Sequence, residues 1–203
     1  MAELDHLVFA GPDLGAAVAL VAELTGVRPV PGGRHPRVGT ANHLLGLGGG
    51  AYLEVIGPDP EAPEPAGPRP FGIDRLVEPG LVSWAVRTPD LESTARAAAA
   101  VGYDPGAPQP LSRSTPDGVL LEWRLTPFPS DRLFPFLIDW GETRHPSEGL
   151  PVVPLRSLHG VHPRPGDVRP ALDALGAGVD VVAGNRVGLV ATLEGPGGEI
   201  VLS

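Results

Sequence analysis

The sequence contains no cysteine and no lysine. Without cysteine there are no disulfides, no thiolate metal ligands and no thiol nucleophile. Without lysine, Schiff-base chemistry on a side-chain amine is excluded. Long hydrophobic runs are missing too, and none approaches the ~18 residues that span a bilayer. The N-terminal MAELDH has no basic segment followed by an apolar one, so it does not read as a signal peptide. Positive charge is scarce: 15 arginines stand against 24 acidic residues, for a net charge of −9. Phosphate backbones attract basic surfaces, so nucleic acid is not an expected partner. The expectation is a cytoplasmic protein with no membrane or nucleic-acid partner.

What is abundant is glycine (28), proline (26) and aliphatic residues, in a chain of 203 residues that is long enough to bury a core. Residues 4–10 are apolar and strand-like. Pro12-Asp13 opens an alanine-rich helix over 14–26, with Asp13 near its start and Gly26 at its end. A loop-like stretch around a short strand follows at 28–40. The segment HLLGLGGGAYLEVIG (43–57) reads as two strands joined by a glycine turn. The order is βαβββ. After a Pro-rich acidic linker (59–70) the order returns. It comprises a strand at 81–88, a helix over 89–102, strands at 108–115 and 118–127 around a Pro116-Asp117-Gly118 turn, and a buried strand within 134–141.

The first strands of the two units align as LDHLVFAGPDL (4–14) and LVSWAVRTPDL (81–91), with 4 identities among 11 residues. His6 in the first copy faces Ser83 in the second. A third copy is readable as a strand at 152–162, a helix over 166–178 and strands within 179–203. The expected domain organisation is therefore a unit at 1–146, made of modules 3–58 and 81–141, followed by a βαβββ-like module at 150–203. The expected fold is α+β, built of repeated βαβββ modules.

LDHLVFAGPDL, GGRHPRVGTANHLLGLGGGAYLEVIGPDP, TPDGVLLEWRL and PFLIDWG resemble the vicinal oxygen chelate superfamily, and within it the bacterial glyoxalase-like domain proteins. The superfamily includes glyoxalase I, extradiol dioxygenases and bleomycin-resistance proteins. The resemblance implies that the modules form curved mixed sheets around a cup, with a divalent metal (Zn, Ni, Mn or Fe) in it, held by a histidine on each first strand and a carboxylate on each last strand. It also implies a homodimer. Carried onto this chain, the ligands of the first module are His6 and Glu54, with Glu54 also a candidate catalytic base. The reaction implied is Lewis-acid catalysis of the lyase, isomerase or dioxygenase type on a small oxygenated metabolite. The alternative is a binding protein of the bleomycin-resistance type, without metal.

The second module departs from the pattern. Ser83 replaces the histidine, and aligning Gly57 with Gly141 sets Ile138 opposite Glu54, with Asp139 one residue on and pointing to the other face. A less usual full set would draw on the third module, combining His6 and Glu54 with His159 (or His162) and Glu199. The remaining candidates each have a structural and a functional reading. His6 is either a half-buried strand histidine bonded to a neighbour or a ligand. Glu54 is either an arginine's salt-bridge partner or a functional carboxylate. His35 is either a turn residue or part of a lid, and Asn42 either caps a loop or faces the pocket. Arg124 interrupts an apolar strand, so it is either outward or a fork for an anionic substrate. Asp139 is either its partner or a site residue. Trp123 and Trp140 read as core, and His145 as a turn.

Overall fold

The computed structural model describes residues 2–115 and 117–203, so Pro116 of the expected turn lies outside the described residues. The first module comprises β1 (Glu3–Ala10), α1 (Leu14–Thr25), β2 (Val30–His35), β3 (Thr40–Gly48) and β4 (Ala51–Pro58). The second comprises β5 (Gly80–Arg87), α2 (Leu91–Ala100), β6 (Gln109–Ser114), β7 (Leu120–Leu125) and β8 (Phe136–Asp139). Helix starts follow the capping residues. Asp13 accepts from the Ala16 N–H at 2.8 Å and Asp90 from the Ser93 N–H at 2.9 Å, satisfying donors that a first turn leaves free. Gly26 ends α1 in the left-handed region at φ 68°.

The eight strands close into a barrel in the order β1-β4-β3-β2-β6-β7-β8-β5. Alternation sorts their side chains. Leu7 and Phe9 point outward into a core shared with α1, whereas Val8, Ala10, Ile56, Leu121, Trp123, Leu125 and Ile138 form the inner cluster. The first strands of the two modules pair antiparallel, with His6 opposite Ala85 and Val8 opposite Ser83. Leu4–Val86 and Phe9–Leu81 are related in the same way. The offset that carries Leu4 to Leu81 in the sequence is therefore also the offset of an approximate two-fold axis, which passes between Leu7 and Trp84. Ser83 is the spatial counterpart of His6. Both strands bulge at equivalent residues, Asp5 and Val82, which are skipped in the ladder.

Residues after 150 form a separate four-stranded sheet. It contains β9 (Leu155–His162), β10 (Asp180–Ala183), β11 (Gly188–Gly195) and β12 (Gly198–Leu202), with α3 (Pro165–Ala174) between the first two strands. The element order is again βαβββ, but the pairing differs. In the barrel modules the first strand lies parallel to its own last strand, β1 to β4 and β5 to β8. Here β9 lies parallel to β10, and β12 is an edge. One face of this sheet, carrying Leu189, Ala191, Leu193 and Leu202, packs into the outer core with Leu7, Phe9 and Trp84. The sheet thus backs the barrel from outside. No helix among the described residues is long and apolar enough to cross a membrane.

The acidic linker is not simply solvated. Asp59 is buried and accepts from the Arg34 Nε at 2.6 Å. Arg69 donates to Gly39 O at 3.0 Å and to Asp74 at 2.7 Å. These contacts strap the segment across one end of the barrel, where a short 3₁₀ segment (Pro70–Arg75) sets Phe71 at φ 58°. Close packing of α1 on β4 depends on Gly57, because a Cβ there would lie 2.9 Å from Leu14 Cα and 3.0 Å from Leu14 N. Backbone atoms cannot swing aside, so Gly57→Ala is expected to destabilise the fold by about 1–3 kcal/mol in chemical denaturation. An unchanged midpoint would contradict this packing.

Candidate functional site

A cavity of about 110 Å³ occupies the barrel interior, comparable with the roughly 150 Å³ cavity that accepts a benzene ring in another protein. Its walls are mainly apolar and aromatic. Its polar lining is His6, His35, Thr40, Asn42, Tyr52, Glu54, Ser112 and Arg113, with Arg37 at the rim.

His6 sits on β1 with its ring stacked on Tyr52 at 4.8 Å. The neighbouring Asp5 would face away in a regular strand. The bulge turns its carboxylate back, so that Asp5 Oδ1 lies 2.5 Å from His6 Nδ1. Asp5 is fully buried and also accepts from the Trp140 Nε1 at 3.0 Å and from the His145 Nε2 at 2.9 Å. Burial alone would raise this carboxyl's pKa, but the hydrogen bonds and charge of His145 and His6 outweigh it and hold the group well below the usual carboxylate range. An ionised carboxylate only accepts, so the proton of a neutral His6 resides on Nδ1. Its Nε2 is then a free lone pair facing the cavity, 3.9 Å from Glu54 Oε2.

Glu54, on β4, is nearly buried and its Oε1 accepts from the Asn42 Nδ2 at 2.5 Å. That bond leaves Asn42 Oδ1 buried without a partner. Burial pushes the Tyr52 phenol well above its ordinary pKa, with the charges of Asp5 and Glu54 adding to the effect, so it remains a donor. Burial pushes the His35 imidazole down, and its Nδ1 lies 3.1 Å from Thr40 Oγ1. His35 is therefore neutral at neutral pH.

Arg113 on β6 reaches into the cavity and is buried. Burial lowers its pKa from the ordinary value, but a guanidinium stays charged throughout the working range. One Nη1 proton goes to Gly32 O. Gly32 and Gly33, in the GGRHPRVGT stretch, make room for these groups. A Cβ on Gly32 would lie 2.5 Å from Asn42 Oδ1, and one on Gly33 would lie 2.7 Å from Arg113 Nη1.

A family model described as a glyoxalase-like domain matches residues 4–176. The chain belongs to the glyoxalase-like family. That places it in the vicinal oxygen chelate superfamily. A solved structure of a hypothetical protein from Staphylococcus aureus shares the fold, at 14% identity and a TM-score of 0.63, over 99% of this chain and 84% of that one. Methylmalonyl-CoA epimerase from Mycobacterium tuberculosis is similar at 20% identity and a TM-score of 0.41, over 66% of this chain and 84% of that one. A methylmalonyl-CoA epimerase solved with methylmalonyl-CoA and NH4+ is similar at 18% identity and a TM-score of 0.44, over 71% of this chain and 98% of that one. None of the curated proteins matches.

Members of the superfamily commonly use a divalent metal. This glyoxalase-like chain does not complete the four-ligand set. Val8 lies opposite Glu54, and Ala85, the counterpart of Val8, lies opposite Phe136. Phe136 is therefore the counterpart of Glu54, which corrects the glycine-based alignment that set Ile138 there. Ile138 corresponds instead to Ile56. Two ligand positions thus hold His6 and Glu54, and the other two hold Ser83 and Phe136. A phenyl ring cannot ligate, and a neutral hydroxyl is a weak substitute for imidazole. Among the described residues no group of three or more His, Asp or Glu could hold a metal ion. The third module does not supply the missing donors. His159 lies on β9, opposite Asp180 and Val190, and Glu199 lies on β12, opposite Glu194 of β11, both in the outer sheet.

The glyoxalase-like site gathers His6, His35, Asn42 and Glu54 around one cavity, but not Arg124 or Asp139. Arg124 is exposed on the outer face of β7 and pairs with Glu92 of α2. Asp139 stands beside it on β8 and accepts from the Gly141 N–H at 2.9 Å. Neither lines the cavity. Sequence reasoning missed Asp5, Tyr52, Arg113 and the Asp5 contacts of Trp140 and His145. Arg113 had a readable signal, since it shares a face with Leu111 at period two. Asp5 had none, because only the bulge brings it to His6.

Proposed function

We propose that this glyoxalase-like protein is an enzyme that moves a proton on a small oxygenated molecule held inside the barrel, without a metal. The observation that carries the reading is the buried row Asp5–His6–Glu54, open to the cavity at His6 Nε2 and Glu54. In this reading His6 Nε2 and Glu54 hold one proton between them: the group without it takes a proton from the substrate, and the group that carries it gives its own back to the substrate, so the pair again holds one. Asp5 orients the imidazole and stabilises the imidazolium when it forms. Tyr52, held protonated, donates to the oxygen on which negative charge grows. An isomerase or lyase outcome fits this proton traffic. Non-haem iron oxygenation of the two-histidine, one-carboxylate kind does not, because His35 does not join His6 and Glu54 in a ligand group.

The two modules at 3–58 and 81–141 are the proposed catalytic unit, and residues 150–203 its outer buttress. A second reading, sequestration of a ligand without chemistry, is favoured by the apolar walls and by Phe136 in the place of a second carboxylate. Metal dependence is tested by exposing tag-free protein to Zn, Ni, Mn and Fe(II), removing excess, and measuring bound metal. The expected result is far below one equivalent per chain for each. About one equivalent, lost in His6→Ala and Glu54→Ala, would restore the Lewis-acid mechanism.

A further inference from the structure

We infer that the cavity selects a small aromatic or alicyclic monocarboxylate, with the ligand's carboxylate held by Arg113. The inference deepens the proton-transfer reading and rests on the same cavity. The chain is strongly acidic overall, yet two cations line this one space, Arg113 inside and Arg37 at the rim. Among the described residues neither has a carboxylate within salt-bridge distance. Among the described residues, the arginines that pair with an acid all lie outside the cavity lining. Arg34, Arg69, Arg87 and Arg124 all pair with acidic partners.

A buried guanidinium with no carboxylate in contact is costly; here the Gly32 carbonyl accepts one of its protons, and the Glu54 charge acts on it only from beyond salt-bridge distance. Its remaining N–H groups suit the two oxygens of a carboxylate, which a planar fork binds bidentately. Gly33 keeps this position clear, since any Cβ would strike the guanidinium. The rest of the wall decides the ligand's body. Trp123, Trp140, Phe128 and Phe136 give flat apolar surfaces that favour a ring and disfavour a strongly hydrated dianion. A phosphate ester dianion would place a second negative charge and a third oxygen against these largely apolar walls and near Glu54.

The test is calorimetric titration of the full chain with benzoate and phenylacetate, beside benzamide, phenylacetamide and phenyl phosphate. The acids are expected to bind at least about tenfold more tightly than their amides. Arg113→Gln should weaken acid binding by about 10- to 100-fold and erase the difference. Arg37→Gln should weaken the acids by a few-fold and leave the amides unchanged, which keeps the test decisive if Arg113→Gln does not fold. Arg124→Gln, on the outer surface, should change neither. Amides that bind as well as acids, an Arg113→Gln variant that binds acids like the parent, or phenyl phosphate binding more tightly than benzoate would each overturn the inference. Because the readout is binding and not turnover, this failure is distinct from failure of the proton-transfer reading. That reading survives if a neutral ligand exchanges its protons, and falls alone if carboxylates bind inertly.

Discussion

Asp5→Leu is expected to destabilise the protein by about 3–5 kcal/mol at neutral pH, the scale of breaking a buried charge–partner set. Three buried or half-buried donors, on His6, Trp140 and His145, would lose their common acceptor. Each unsatisfied donor costs about 1–3 kcal/mol. For a chain of this size that is a drop of roughly 6–20 °C in Tm. The pH dependence has a definite sign. The folded-state pKa of Asp5 lies below the unfolded value, so its contribution is fully present above the unfolded pKa. It is lost as pH falls through the folded value. The Tm gap between wild type and variant should therefore be constant from about pH 5 upward and narrow in stronger acid. Thermal unfolding followed by circular dichroism across that range measures both. A gap that closes near neutrality instead would mean that the histidines, not Asp5, carry the interaction.

Glu54→Gln and His6→Asn are expected to lower the rate of proton exchange on a bound substrate by about 10²- to 10⁴-fold while leaving the fold intact. Glutamine keeps an oxygen for the Asn42 amide, so the local hydrogen bond survives and only the ionisable group is lost. Ligand affinity should change far less than the rate, because the apolar walls and Arg113 are untouched. The effect should thus appear in kcat rather than in KM. If Glu54→Gln exchanges protons at the wild-type rate while His6→Asn does not, the histidine works alone and Glu54 is only a contact. If both variants keep their rate, the proton moves elsewhere, and the Tyr52 phenol becomes the group to replace.

Much of the barrel was legible because it repeats. The Pro-Asp-Leu register in the two first strands is the register of the two-fold axis, so the loss of a histidine at Ser83 could be read directly. His6, Asn42 and Glu54 were legible through strand alternation within single elements. The bulge at Asp5 was not, since a regular strand sends neighbours to opposite faces, and the displaced residue is set by pairing with β5, a partner far along the chain. The counterpart of Glu54 was misplaced for a related reason. Gly57 and Gly141 look equivalent, but Gly57 packs on Leu14 whereas Gly141 turns the chain at φ 53°. Only the ladder from β5 to β8 fixes Phe136. Arg124 was readable in principle. Leu121, Trp123 and Leu125 alternate with Glu122 and Arg124, which marks the charged pair as outward. In the last module the order of elements was visible, but strand neighbours depend on long-range pairing, and β9 chose β10 over β12.

Proton transfer by His6 and Glu54 without a metal has a distinctive isotopic signature. Deuterium wash-in tests it most directly. Ligands found to bind, including carbonyl acids with an acidic C–H, are incubated with the protein in D2O containing excess chelator, and loss of the C–H signal is followed by NMR. Metal-free proton transfer predicts exchange at an undiminished rate with chelator present and its collapse in Glu54→Gln. It is contradicted if no bound ligand exchanges at all, or if exchange stops with chelator and returns on adding a divalent metal.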